Sequence, residues 1–237
     1  MTKYLLLDYG GTIDTNGLHW AVVLRNSYEK FHPDITPELF SKAYSYGERG
    51  LAINPLVEPS HTFLDVLRLK VREQFRFLRE HGCTMNDDAI EKIASDCNSF
   101  AAATVEKTIP ILTVLSEKFP LVMVSNFYGN LGTVLETFHI KHFFTHIVES
   151  AVVGVRKPDP AIYQYGIDLL KADASECLVV GDSFAKDIVP AKKLGCRACW
   201  LKGKGWEDDK PELQEGGYRA DIEIRSFADV LNEVNNS

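Results

Sequence analysis

The run KYLLLDYGGT at residues 3–12 decides the fold class of this chain. Its apolar residues lead directly into Asp8, and Gly10, Gly11 and Thr12 follow. A short continuous apolar run that ends at turn residues is typical of a strand buried on both faces of a parallel sheet. Asp8 then lies at the carboxyl end of the strand, where open α/β sheets bind their ligands. A single aspartate in this position is more often a turn residue or a helix cap, so the rest of the chain has to decide its role.

The last part of the chain alternates between strand and helix patterns. We predict strands at Leu121–Val124, His146–Glu149, Cys177–Gly181, Arg197–Leu201 and Asp221–Ile224. We predict helices between and after them at Leu131–Phe138, Pro160–Lys171, Ala185–Leu194 and Phe227–Val234. This alternation indicates an α/β fold, a Rossmann-like parallel sheet with helices on both faces and right-handed crossovers. Residues 202–219, rich in glycine and charge, are predicted to form a surface loop.

The segment between the first strand and this α/β region has only helical patterns. We predict helices at Leu18–Phe31, Pro37–Leu51, Thr62–His81 and Asp87–Val105, and a separate short helix at Ile111–Lys118 after Pro110. Thr36 before Pro37 is a helix-start signal, an N-cap followed by proline at the first helical position. The pattern predicts a four-helix-bundle cap at residues 17–104, inserted into an α/β core made of residues 1–16 and 105–237.

Composition excludes several classes of protein. The chain has 237 residues, 45% of them apolar and 25% charged, with a net charge of −7, which argues against a nucleic-acid or membrane surface. We see no signal-like segment and expect a cytoplasmic protein. The five cysteines are an odd set, and we expect reduced, mostly buried thiols. Cys196 and Cys199 form a C-x-x-C within a predicted strand, where packing is a better explanation than metal binding.

Three later stretches also bring polar residues to strand ends. Ser125 and Asn126 follow a buried strand and could bind an anion with the following helix, although an N-cap is the better explanation of these two residues taken alone. Lys157 precedes a rigid Pro-Asp-Pro turn, which favours a fixed rather than a solvated side chain. Asp182 ends an apolar strand, and Asp187 follows about one helical turn later, where turn and capping roles are again the alternative.

If these strands are neighbours, their polar residues converge at one edge of the sheet. Several carboxylates close together repel and raise one another's pKa, and a hard divalent cation removes that repulsion. Mg²⁺ prefers carboxylate, water and phosphate oxygens as ligands. Lys157 and strand-end N–H groups would balance the remaining phosphate charge, leaving Asp8 free to attack phosphorus.

These residues resemble the haloacid dehalogenase-like hydrolase superfamily, whose four motifs occur in order: DYGGT at 8–12, SN at 125–126, KPDP at 157–160 and GDSxxxD at 181–187. The resemblance implies that Asp8 is the nucleophile and that Asp8, the Gly10 carbonyl, Asp182 and Asp187 hold Mg²⁺. It further implies that Ser125, Asn126 and Lys157 bind the phosphoryl group, that Lys157 orients Asp8, and that Thr12 braces the first loop. The implied function is a magnesium-dependent phosphatase of a small phosphorylated metabolite.

One position departs from the family pattern. Phosphatases of this superfamily have a second aspartate two residues after the nucleophile, which protonates the leaving group, and here that residue is Gly10. We therefore expect a slow phosphatase, unless a cap residue such as His19 or Glu48 replaces it, and Arg49 is our candidate for reading the substrate. The alternatives are a metal-free haloacid dehalogenase, a C–P hydrolase using a cap lysine such as Lys42, and an impaired phosphate-ester binding protein.

Overall fold

The computed structural model of the protein describes residues 1–203 and 217–235, and within them one parallel sheet forms the centre of the fold. Its strands are β1 (Tyr4–Leu7), β2 (Leu121–Ser125), β3 (Phe144–Glu149), β4 (Cys177–Gly181), β5 (Arg197–Leu201) and β6 (Ile222–Ile224). They lie in the order β3-β2-β1-β4-β5-β6, and every neighbouring pair is parallel. The predicted α/β class is confirmed. The first strand lies in the middle of the sheet, between two strands from distant parts of the chain.

Successive residues of β1 enter different hydrophobic cores. Leu5 and Leu7 pack in the larger cluster, which also contains Leu112 from a helix of the inserted segment. Leu6 packs in a second cluster with Ile162. All three leucines are fully buried because alternate side chains of a strand point to opposite faces and helices cover both faces of this sheet.

Among the described residues, the inserted segment forms four α-helices and the α/β part contributes five. The first four are α1 (Trp20–Phe31), α2 (Pro37–Ile53), α3 (Phe63–Glu80) and α4 (Asp88–Lys118). The others are α5 (Leu131–Thr137), α6 (Ser150–Val153), α7 (Ala161–Leu170), α8 (Val189–Leu194) and α9 (Val230–Asn235). Thr36 caps α2 as expected, accepting a hydrogen bond from the Leu39 N–H at 3.3 Å with Pro37 in the first turn. Below, "the cap" means α1 to α4 with their connecting loops.

The prediction that a helix ends near Val105 and another begins at Ile111 is wrong. Helix α4 runs without interruption through Pro110, although proline removes one helical hydrogen bond and usually breaks a helix. Pro110 is exposed, while Val105, Leu112 and Leu115 continue one buried stripe on either side of it. The packing of that stripe offsets the lost hydrogen bond. Because α4 crosses residue 105, the division into residues 17–104 and the remainder stays a prediction.

Smaller differences affect the turn after β4 and the end of the chain. The helix predicted at Ala185–Leu194 consists of a π-helical turn, Phe184–Ile188, followed by α8, and a 3₁₀ turn at Phe227–Asp229 precedes α9. Residues 204–216 of the predicted surface loop lie outside the described residues. All five cysteines are free thiols, with Cys196 and Cys199 buried. In the described ranges, none of the helices combines the length and the apolar character that a membrane span needs.

Candidate active site

Three adjacent strands end in polar residues at one edge of the sheet. Asp8 directly follows β1, Ser125 is the last residue of β2, and Asp182 directly follows β4. Since β1 lies between β2 and β4 and all three are parallel, their carboxyl ends meet at the same edge. Residues 170 positions apart in sequence therefore come into contact there, as the 3.5 Å distance from Thr12 Oγ1 to Asp182 Oδ1 indicates.

Lys157 is held between two carboxylates at this edge. Its Nζ lies 2.6 Å from Asp8 Oδ1 and 2.7 Å from Asp187 Oδ1, and all three side chains are buried. Burial opposes the charged form of Lys157, but the two carboxylates raise its pKa above the ordinary value. The ammonium group is therefore charged and directed at Asp8, which excludes the alternative of a solvated lysine.

Asp187 holds this lysine and the loop after β4 together. Its Oδ1 also accepts a hydrogen bond from the Tyr163 hydroxyl at 2.7 Å, and its Oδ2 accepts one from the Ser183 N–H at 3.0 Å. The π-helical turn places Asp187 so close to Gly181 that a Cβ there would lie 2.4 Å from its carboxyl carbon. The sequence did not predict that Tyr163 belongs to the site, because a tyrosine within an apolar helix pattern gives no sign of a polar contact.

The Asp8 carboxylate is fixed in orientation but is energetically unfavourable as an anion. Thr12 Oγ1 donates to its Oδ2 at 2.9 Å, and Thr12 itself is fully buried, so this hydroxyl braces Asp8 instead of facing a ligand. Burial, joined by the charge of Asp187, raises the pKa of Asp8 to about 6 despite the opposing effects of Lys157 and Thr12.

Asp182 completes a cluster of three carboxylates. Asp8, Asp182 and Asp187 each offer an oxygen within 4.8 Å of the others. Burial and then the charges of Asp8 and Asp187 raise the pKa of Asp182 well above its ordinary value. Gly11, at φ +97°, makes room for this carboxylate, since a Cβ there would lie 2.2 Å from Asp182 Oδ2. The donor set is all oxygen and carries more negative charge than Lys157 balances, so it fits a hard divalent cation.

Asn126 has a positioning role that differs from the predicted one. Its Oδ1 accepts a hydrogen bond from the Lys157 N–H at 2.8 Å, and its Nδ2 donates to the Lys157 carbonyl at 3.1 Å. The side-chain amide is thus committed to the Lys157 backbone. The alternative that Ser125 or Asn126 caps the next helix is wrong, because α5 begins at Leu131 with Asn130 as its N-cap.

Asp14 is a buried acidic residue of the site that the sequence analysis missed. Its Oδ1 accepts the Gly11 N–H at 2.7 Å and its Oδ2 accepts Trp20 Nε1 at 2.9 Å. Burial raises the pKa of Asp14 to about 7, although both of these hydrogen bonds oppose the shift. Asp14 therefore ties the turn after Asp8 to the first helix of the cap. The one feature of the sequence that could have indicated a role for Asp14 is its position two residues after the DYGGT motif.

A cavity of about 1480 Å³ lies over this edge and is lined from both sides. The α/β side contributes Asp8, Gly10, Ser125, Asn126, Lys157 and Asp182, and the cap contributes His19, Glu48 and Arg49. His19 Nδ1 accepts the Ala21 N–H at 3.1 Å and so caps α1. Lys42 is exposed and lines a separate shallow depression, so it does not supply the cavity lysine that a C–P hydrolase needs.

A family model of the haloacid dehalogenase-like hydrolases matches residues 21–195. The chain belongs to the haloacid dehalogenase-like hydrolases. The matched range includes Ser125, Lys157, Asp182 and Asp187 and begins after Asp8. Membership in these hydrolases and the parallel six-stranded sheet confirm the resemblance that the four motifs indicated.

Curated relatives of this haloacid dehalogenase-like hydrolase include phosphatases and dehalogenases. It is 40% identical to glyceraldehyde 3-phosphate phosphatase of Pyrococcus abyssi over 63 residues, 27% of this chain and 26% of that protein. It is 29% identical to (S)-2-haloacid dehalogenase 2 of Pseudomonas sp. over 117 residues, 49% and 48% of the two chains. The chain thus spans about half, or less, of the length of these relatives. The structure of the HAD-hydrolase YfnB from Bacillus subtilis, bound to magnesium, aligns over 99% of both chains with a TM-score of 0.59 at 18% identity, which shows the shared fold.

Proposed function

We propose that the protein is a Mg²⁺-dependent phosphatase that hydrolyses a small phosphate monoester through a phosphorylated Asp8. The observation that carries the proposal is the buried arrangement in which Lys157 Nζ lies 2.6 Å from Asp8 and 2.7 Å from Asp187, with Asp182 in the same carboxylate cluster. Phosphatases among the curated relatives support it. A cation held by Asp8, Asp182, the Gly10 carbonyl and, directly or through water, Asp187 would neutralise charge on the phosphoryl oxygens.

The chemistry assigned to Asp8 is a nucleophilic substitution at phosphorus. One carboxylate oxygen forms a bond to phosphorus, the bond to the ester oxygen breaks, and the leaving oxygen keeps its electron pair and takes up a proton. Water then attacks phosphorus, which releases inorganic phosphate and restores the carboxylate. Lys157 and Thr12 hold Asp8 in one orientation, and Ser125, which lines the same cavity, would bind the phosphoryl oxygens.

The leaving oxygen of the substrate needs a proton donor. Gly10 has no side chain to supply it, and Glu48 is a poor donor because Lys70 and Tyr128 keep it ionised. Burial would raise the pKa of Glu48, but Lys70 and the Tyr128 hydroxyl hold it below its ordinary value. We therefore propose a slow enzyme that takes this proton from solvent and works best on esters with good leaving groups.

The test is hydrolysis of p-nitrophenyl phosphate with Mg²⁺ and with EDTA. Asp8→Asn should lower turnover by about 1000-fold or more, as loss of a nucleophile does, whereas Asp168→Asn, an exposed control on α7, should retain full activity. Metal-independent turnover would contradict the proposal.

Metal-free dehalogenation is the second candidate, because curated relatives and structural neighbours include dehalogenases. The same Asp8 could displace a halide from carbon. The Asp182 carboxylate beside Asp8 and Asp187 argues against it, since a metal-free reaction gives no compensation for this extra charge. Halide release from chloropropionate in EDTA would replace the phosphatase proposal, and binding of phosphate esters without turnover would favour an impaired binding protein.

A further inference from the structure

One face of helix α2 forms part of the cavity wall. The cavity-lining residues Ser41, Tyr44, Ser45, Glu48 and Ala52 recur at intervals of three and four. Residues with this spacing share one face of a helix. Four of the five are polar, so the cap presents hydrogen-bonding groups to the cavity that also contains Asp8.

Glu48 is the charged centre of this face. Its Oε1 lies 2.5 Å from Lys70 Nζ on α3, and its Oε2 accepts the Tyr128 hydroxyl, from the loop after β2, at 3.0 Å. The Lys70 side chain is 9% exposed and that of Glu48 is 34% exposed, so the Glu48 carboxylate stays open to the cavity. Each carboxylate oxygen has two lone pairs, so Glu48 can still accept a hydrogen bond from a ligand.

Tyr44 lies one helical turn before Glu48 on the same helix, α2. In residues 1–203 and 217–235 the Tyr44 hydroxyl makes no hydrogen bond, and its ring lies 6.0 Å from the His19 ring, which also lines the cavity. Burial, followed by the charges of Glu48, Tyr128, Asp182 and Asp14, raises the pKa of Tyr44 well above its ordinary value. The phenol therefore keeps its proton and is a hydrogen-bond donor in the cavity that Glu48 and Asp8 also line.

We propose that Tyr44 and Glu48 bind a free hydroxyl group on the leaving alcohol of the substrate. A hydroxyl is both acceptor and donor, which matches the Tyr44 donor and the Glu48 acceptor on one helix face. This inference rests on the proposed phosphatase function and narrows it to phosphate esters of polyhydroxylated alcohols. An alkyl leaving group would bring no hydrogen-bonding partner to either side chain, and a carboxylate would be repelled by the neighbouring Glu48 carboxylate.

The experiment compares glycerol phosphate with propyl phosphate, which has the same number of carbons and no free hydroxyl. Wild-type kcat/KM should favour glycerol phosphate by at least about 10-fold, because one of the two hydrogen bonds is neutral and the other is to the charged Glu48. Tyr44→Phe should remove most of that preference by lowering kcat/KM for glycerol phosphate alone. In the Asp8→Asn background the same change should raise the Kd of glycerol phosphate about as much, while the Kd of propyl phosphate stays constant.

Tyr46→Phe is the matched control. Tyr46 is on the same helix, and its hydroxyl accepts from Arg76 at 2.5 Å, away from the cavity lining. It should leave the substrate preference unchanged. Because the Tyr44 hydroxyl has no partner in the described chain, its removal leaves no group unpaired and the fold intact.

The outcomes separate this inference from the proposed function. Wild-type turnover of both esters with equal efficiency, or a Tyr44→Phe effect that is equal for both, overturns the role of Tyr44 alone. A wild-type preference for phosphoglycolate over glycerol phosphate does the same, because it assigns the subsite to a carboxylate. No turnover of the three esters while p-nitrophenyl phosphate is still hydrolysed overturns this inference alone. No turnover of p-nitrophenyl phosphate either overturns the proposed phosphatase function, and this inference with it.

Discussion

Replacing Gly10 with aspartate should convert a slow phosphatase into a faster one. Gly10 lines the cavity two residues after Asp8, and its φ is not in the left-handed region that favours glycine. A Cβ built at Gly10 has no heavy atom within 4 Å apart from its chain neighbours, so the backbone accepts the first atom of a side chain without a clash. The substitution therefore adds a proton donor at little steric cost.

The expected rate gain of Gly10→Asp depends on how much a proton donor accelerates departure of the leaving group. A positioned general acid contributes about 10²- to 10⁴-fold to a reaction that needs a proton in the transition state. The lower end of this range applies to Gly10→Asp, because the backbone at residue 10 is exposed to the cavity and the new carboxyl group is only partly protonated near pH 7. We expect kcat for an alkyl phosphate to rise about 100-fold, which corresponds to about 2.7 kcal/mol of activation free energy.

The assay measures phosphate release from propyl phosphate and from p-nitrophenyl phosphate at several pH values. Nitrophenolate leaves readily without a proton, so its hydrolysis should gain less than that of the alkyl ester. Gly10→Asn is the matched control, since asparagine has nearly the same volume and cannot protonate the leaving oxygen.

The outcome that would refute this reasoning is an equal effect of the Asp and Asn substitutions. A gain of the same size for both esters would also contradict it, because the leaving group would then not be the step that is improved. In either case another group already supplies the proton, and Gly10 is not the source of a slow rate.

Three further predictions address the metal, the buried acid and the longest helix. Mg²⁺ at 100 times its Kd should raise the free energy of unfolding of the wild-type protein by about 2.7 kcal/mol, measured in thermal melts. Asp182→Asn should remove most of that increase. Equal increases in both proteins would contradict the assigned metal site. Asp14 has a pKa raised to about 7, so its contribution to stability is complete below its unfolded value near 3.9 and is lost as the pH rises through about 7. The test is urea unfolding of metal-free protein at pH 4 and pH 8. The free energy of unfolding of Asp14→Asn, relative to that of wild type, should be higher at pH 8 than at pH 4 by a few kcal/mol. A difference that does not change with pH would refute the ionisation of a buried Asp14. Pro110→Ala should stabilise the protein by about 1–3 kcal/mol in urea unfolding, since it restores one N–H donor inside α4; a loss of stability would mean that Pro110 supports a helix geometry that the packing requires.

Local patterns predicted most of the elements. The strands Cys177–Gly181 and Arg197–Leu201 were predicted to the residue, because continuous apolar runs between turn residues have no good alternative in a parallel sheet. The helix break predicted at Pro110 is wrong, although the local helix propensity of proline favours a helix end at that residue. The continuous buried stripe through Val105, Leu112 and Leu115 became visible only when their packing partners were in place.

The sequence by itself determined the residue types of the site: Asp8, Ser125, Lys157 and Asp182 lie in motifs that can be read from the printed chain. It also determined that position 10 has no side chain. Only the tertiary structure decided how those groups are used. Asn126 holds the Lys157 backbone, Tyr163 and Ser183 occupy the oxygens of Asp187, and Asp14 and Tyr44 face the same cavity. Hydrogen bonds and buried charges depend on distances between atoms far apart in sequence, and no local pattern of residues encodes those distances.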